Sequence, residues 1–193
     1  MAEVKTQVKA LLDAGWEVCT ADEVRLEHEA ETRRMWLPKG QRTKLSVDRR
    51  KTSQSFFGAL SLTSKKVKLY PIEGNRNTWQ TILALDRLQR ETGTGKIAVV
   101  LDNARFHHVK ALTALYEPGR LLERITPIHL PPYAPDHNPV EHVRNTAKNN
   151  IANIQRETPE ETFGAFASHV TGRAVDHDSE HLPPHETRND PVP

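Results

Sequence analysis

The segment Lys96-Ile-Ala-Val-Val-Leu-Asp102 constrains this chain more than any other: five consecutive aliphatic residues with no polar alternation, closed by an acid. A strand half-exposed to water alternates apolar and polar residues, so an unbroken run reads as a central strand covered on both faces. Helices must then lie on both sides of a sheet, which makes the chain α/β. It is also the longest aliphatic run in the 193 residues, far short of the roughly 20 apolar residues that a membrane-crossing helix needs. The expectation is one domain over 1–172 with no membrane association, followed by an acidic tail at 173–193, rich in proline and histidine and expected to be disordered. His177, His181 and His185 in that tail are spaced by four, but Pro183 and Pro184 break any helix that would align them on a metal.

Around the central run the pattern predicts further elements. Trp16, Val18, Thr20, Asp22, Val24 and Leu26 share one face of a period-two segment, with Glu17, Glu23 and Arg25 on the other. Asp22 thus falls in the middle of an apolar face, where an unpaired carboxylate is costly. MWLPKGQ reads as a turn, and KLSVDRR, SQSFFGALSLT and VKLYPI as strands of an antiparallel meander. Asn77 caps a helix through TWQTILALDRLQRETG; a helical stretch follows around Val109 to Tyr116, then the strand ITPIHL and the stiff connection PPYAPDHNP. Asn138 as cap and Pro139 as first helical residue start the helix NPVEHVRNTAKNNIANI. On it Val140, Val143, Ala147, Ile151 and Ile154 fall within an arc of about 80°. Glu141, Asn145 and Lys148 line up beside that stripe, and a last helix runs from Glu160 to Val170.

Formal net charge is only +2, but it is uneven. Arg33, Arg34, Lys39, Arg42, Lys44, Arg49, Arg50 and Lys51 face a single acid, Asp48, between positions 33 and 51. Such a cluster is either a solvated surface or a phosphate-binding one. Trp36 within it reads as a packing residue beside its Pro-Lys-Gly turn. Cys19 is the sole cysteine, which excludes an intrachain disulfide and fits a reducing cytoplasm. The N-terminal MAEVKTQVKALLDAG lacks the apolar core of a secretory signal.

Three carboxylates stand out by setting: Asp22 inside a strand face, Asp102 ending the central strand, and Glu141 in a first helical turn. Convergent acids suit magnesium, which takes oxygen ligands, and two-metal sites that clamp a phosphate undergoing displacement. LDNARFHH followed by LPPYAPDHNPVE is similar to the signature of mariner-type DDE transposases, including their bacterial insertion-sequence relatives. ADEVRLE and then RRMWLPKGQ resemble that family's first catalytic strand and second strand, so the resemblance spans about Trp16 to Ile154.

The resemblance implies a ribonuclease H-like mixed sheet flanked by helices, with Asp22, Asp102 and Glu141 as catalytic acids and ligands of two Mg2+ ions, or of Mn2+ in their place. It further implies cleavage at transposon ends and strand transfer into target DNA. Glu23, Asn103, His107, Asn138 and Lys148 become candidates for supporting the acids or touching DNA, and the Arg33–Lys51 cluster for binding it. The family's helix-turn-helix domains normally precede the first acid, which here stands at position 22; the expected partners are therefore DNA, a separately encoded helix-turn-helix part and a second copy of the chain, at the nucleoid. Two departures matter: the stretch from Asp102 to Glu141 is longer than usual near EPGRLLER, and Arg144 stands where relatives commonly have tryptophan. The alternatives are a DNA-binding remnant without catalysis and another ribonuclease H-like nuclease.

Overall fold

The computed structural model describes residues 2–49, 51–131 and 139–172. Arg50, Asn138, most of PPYAPDHNP and the 173–193 tail therefore lie outside the described residues. Strands β1 (Glu17–Glu27), β2 (Ser53–Ser61), β3 (Val67–Ile72), β4 (Ile97–Leu101) and β5 (Ile125–His129) form one sheet in the order β3-β2-β1-β4-β5. Strands β1 to β3 pair antiparallel, whereas β1, β4 and β5 run parallel, so the sheet is mixed.

Helices α1 (Ala2–Asp13), α2 (Thr78–Arg90), α4 (Pro139–Ile151) and α5 (Pro159–Thr171) cover it, with a short α3 (Lys110–Thr113) between β4 and β5. None of the described helices is long and apolar enough to cross a membrane. Every residue of β4 is buried, as its unbroken aliphatic run requires. Asn77 caps α2 by accepting a hydrogen bond from the Gln80 amide at 3.0 Å.

Both faces of β1 are buried, which corrects the one-sided reading of its sequence. Cys19 and Ala21 pack with Val99, Leu101, Leu85 and Leu88 under α2. The opposite face carries two separate apolar clusters. Val18, Ala98, Val100 and Ile128 meet Val4, Val8, Leu11 and Leu12 of α1. Val24, Leu26, Phe56 and Leu60 meet Val140 and Ala147 of α4 with Phe166 and Val170 of α5. Asp22 sits on β1 between Val18 and Val24, at the seam between those clusters.

The α4 stripe packs as its periodicity predicts except at Ile154, which is 49% exposed. The helix stops at Ile151 and Asn153 turns left-handed at φ 61°, so Ile154 leaves the helical face. Asparagine tolerates that conformation better than most residues, and here its side chain accepts a hydrogen bond from the Arg33 amide at 2.7 Å.

Neither RRMWLPKGQ nor the described part of KLSVDRR, 44–49, is a strand. Neither joins a ladder of the sheet, whose order is β3-β2-β1-β4-β5. The Asp48 amide instead donates to Gln155 Oε1 at 3.1 Å, an acceptor shared with the Ala30 amide at 3.1 Å. His28, 1% exposed, lies 2.9 Å from Thr162 Oγ1 through Nδ1 and 3.6 Å from Asp48 Oδ2 through Nε2. The Asn153 amide donates to the Glu31 carbonyl at 2.9 Å. The long connection from β1 to β2 is thus fastened at both ends to the chain between α4 and α5.

Gly58 of β2 pairs with Asp22 in the ladder and lies beneath the first turn of α4. A methyl there would meet Leu69 at 3.6 Å and Val140 at 3.7 Å, ordinary contacts that alanine can make. Valine adds two more carbons to that space. Gly58→Val is expected to cost about 1–3 kcal/mol by overpacking, with Gly58→Ala near neutral, as measured by urea denaturation of the two variants.

Candidate acidic site

Asp22 is held by the centre of the sheet. Its Oδ1 accepts a hydrogen bond from the Glu23 amide at 2.8 Å, and its side chain is 17% exposed. Thr20 pairs with Val100 in the parallel ladder; continuing that register sets Asp102, just past the end of β4, opposite Asp22. Glu141 arrives from above on the first turn of α4, where a carboxylate is favoured by the helix dipole.

Arg144 joins two of the three acids. Its Nη1 donates to Asp22 Oδ2 at 2.6 Å and its Nη2 to Glu141 Oε1 at 2.5 Å. Burial pushes the Asp22 carboxyl up to about 6; Arg144 opposes that rise, and the charges of Asp102 and Glu141 add to it. The three acids therefore sense one another through Asp22, although no cluster with metal-ligand geometry is formed among the described residues.

Asp102 is fixed from a different side. His107, 3% exposed, sets Nδ1 2.9 Å from Asp102 Oδ1, and the Ala104 amide donates to the same oxygen at 3.1 Å. The hydrogen bond from His107 leads in holding the Asp102 carboxyl below its ordinary range. Burial works against the His107 imidazolium, but its hydrogen bond to Asp102 and the nearby Glu23 carboxylate outweigh that and raise it to about 9. Glu23 lies across the sheet from Asp22: Oε1 accepts from Thr81 Oγ1 of α2 at 3.1 Å and stands 3.9 Å from His107 Nε2. A buried chain of polar groups, Thr81 to Glu23 to His107 to Asp102, supports the second acid from behind.

The remaining candidates spread out. Asn103 is exposed and its Oδ1 lies 2.6 Å from His108 Nε2, as an acceptor when that nitrogen carries a proton. Lys148 is half-buried one turn beyond Arg144 and makes no contact with the acids that the structure records; it borders a crevice with Leu26, His28 and Ile151. Arg33, Arg34, Lys39, Arg42, Lys44, Arg49 and Lys51 are all exposed on the connection from β1 to β2. Arg33 pairs with Glu31 at 3.0 Å and also bonds Asn149 of α4. Trp36 is fully exposed, at 101%, so the packing role read from its turn is not found. The turn itself forms, with the Gln41 amide bonded to the Pro38 carbonyl at 3.0 Å.

Arg144 is the residue whose contribution the sequence pattern left unread. At 100° per residue it lies about 40° from Val140, closer to the apolar stripe than Glu141 does at about 100°. An arginine at the margin of a buried arc requires a carboxylate partner, and that position was the available signal.

Among solved structures the chain resembles the Mos1 strand transfer complex at 16% identity and a TM-score of 0.64, covering 92% of this chain and 51% of that one. It resembles the mariner Mos1 paired end complex with Mg at 17% identity and 0.56, covering 81% and 48%. It also resembles the simian T-cell lymphotropic virus intasome in complex with a PP2A regulatory subunit, at 12% identity and 0.53, covering 91% and 56%. These identities speak to the fold, which is ribonuclease H-like, and the chain spans about half the length of the solved chains it matches. No curated protein matches it. Residues 17–162, well over half the chain, match the family model described as DDE superfamily endonuclease, and the chain belongs to that family.

Proposed function

We propose that this chain is the catalytic core of a mariner-type DDE transposase of the bacterial insertion-sequence branch, performing metal-dependent DNA cleavage and strand transfer with Asp22, Asp102 and Glu141. What supports this reading is that Arg144 joins an acid from mid-sheet to one from the first turn of α4, while Asp102, just past the end of the adjacent parallel strand, is near enough for its charge to act on Asp22. The Mos1 complexes that it resembles in fold are named for a transposon end, a strand transfer product, Mg and Mn. These point the proposal to DNA and to divalent ions.

The donor set fits a hard cation, since three carboxylates supply oxygen ligands and a net negative charge. Asp22, Asp102 and Glu141 would hold two Mg2+ or Mn2+ ions, which supply electrostatic stabilisation of a phosphate under in-line attack. The chain's own part is positioning. His107, backed by Glu23 and Thr81, keeps Asp102 ionised and oriented. The exposed arginines and lysines between β1 and β2 neutralise DNA phosphates, and Trp36 offers a face for stacking on a base. The remaining features of this reading are one domain over 1–172, a partner helix-turn-helix part that recognises the element's ends, a second copy of the chain, and action at the cytoplasmic nucleoid.

One observation favours a second reading, a DNA-binding remnant without catalysis: Arg144 neutralises two of the three acids. Nicking of supercoiled plasmid separates the two. The proposal expects nicking by the wild type in Mg2+ or Mn2+, none in EDTA, and loss of about a hundredfold or more in Asp102→Asn. Salt-sensitive DNA binding with no metal-dependent difference between the two proteins would favour the remnant.

A further inference from the structure

We propose that Arg144 is a resident cation of the acidic site, one that a divalent metal must displace from Asp22 and Glu141 before the site can load. The inference rests on the reading of these acids as metal ligands and adds a regulatory element to it. One guanidinium spans carboxylates from two separate elements, β1 and α4, through different nitrogens at 2.6 Å and 2.5 Å. Those short charge-assisted bonds occupy one oxygen on each of two carboxylates that a cation would share.

Arginine does not surrender its proton at any ordinary pH, so Arg144 cannot be neutralised out of the way. It can leave only by moving. A divalent ion and a guanidinium on the same carboxylates repel strongly at such separations, and therefore the two occupancies exclude one another. The side chain has a route out, being 23% exposed, and its hold is incomplete: Nε is buried without a hydrogen-bond partner among the described residues. The metal-free state is accordingly held closed by Arg144, and metal affinity is reduced by the free energy of releasing it.

The mutual repulsion of the acids explains why a cation belongs there in the metal-free protein. Asp22 and Glu141 come from separate elements to within reach of one guanidinium, and without it they would face each other as like charges. Removing Arg144 should weaken the metal-free fold and leave a more strongly anionic site.

The test uses the whole chain without DNA, comparing the wild type with Arg144→Gln and Arg144→Met. Mn2+ binding is followed by loss of the free-ion electron paramagnetic resonance signal, and folding by circular dichroism and thermal melting. The expected result is Mn2+ bound about tenfold or more tightly by both variants, each with a lower Tm than the wild type in EDTA and a difference that narrows in saturating Mn2+. Adding Asp102→Asn to Arg144→Gln should weaken the gained binding, locating it at these acids. Equal affinity in the wild type and the folded variants would overturn the resident-cation role while leaving the metal site intact. Weaker binding in the variants would also overturn it, making Arg144 a support for the ligands. No Mn2+ binding by any of the proteins at millimolar metal would overturn the metal-site reading as well.

Discussion

Asp22→Asn is expected to abolish metal-dependent DNA nicking, by about a thousandfold or more, while sparing the metal-free protein the loss of stability that the wild type suffers as pH rises. The two effects have one cause. Burial raises the Asp22 carboxyl to about 6, above the 3.8 of an unfolded chain. The folded state therefore holds a proton that the unfolded state releases first. The stability contributed by that proton is present below about pH 4 and lost as pH rises to about 6. Above that range the ionised carboxylate weakens the metal-free fold by roughly 2–3 kcal/mol. Asparagine removes the charge and can still accept from the Glu23 amide, but its NH2 group cannot accept from Arg144, so the comparison is of pH dependence and not of absolute stability. Urea denaturation in EDTA at pH 4.5 and pH 8 should show the variant gaining on the wild type at the higher pH. A variant that loses as much stability between those pH values as the wild type would show that the Asp22 charge is not destabilising. On the proposed reading, the residue that the reaction needs is then also one whose ionisation weakens the metal-free fold, a conflict expected where charge is buried for function.

Phe166→Ala carries the largest expected effect on the fold, about 3–5 kcal/mol. Phe166 is 1% exposed, lies 5.8 Å from the Phe56 ring between centroids, and shares a cluster with Val140, Ala147 and Val170. Its removal opens a cavity at the junction of β2, α4 and α5, the junction that sets the position of Glu141 and Arg144. Typical domains are stable by only 5–15 kcal/mol, so the variant should unfold at markedly lower urea. Phe166→Leu, which refills most of the volume, should recover more than half the loss. Equal midpoints for the alanine variant and the wild type would show that α5 does not brace α4.

Legibility in the sequence followed the range of the interaction. The unbroken apolar run of β4, the Asn77 cap of α2 and the proline at the start of α4 are local signals, and each element forms where the pattern sets it. The spacing of Val4, Val8, Leu11 and Leu12 was equally local, yet it was α1 that went unread beneath its charges. KLSVDRR has strand-like composition, but composition does not reveal where a segment's amides find their partners. Its amide goes instead to Gln155, more than a hundred residues away. Arg144 was visible as a departure from the family; its grip on Asp22 crosses from one end of the chain to the other. The positions of the three acids could be read from sequence, whereas the cation between two of them could not.

The fastening of the β1–β2 connection has a mechanical consequence. His28 and Asp48, near its two ends, and Glu31 and Arg33 between them are tied to Thr162, Gln155, Asn153 and Asn149, on or between α4 and α5. A duplex resting on the exposed basic side chains would therefore not tug on a free strap. Its load would pass into the far end of α4 and along that rigid rod to the turn bearing Glu141, so grip on the nucleic acid and alignment of the third acid would share one lever.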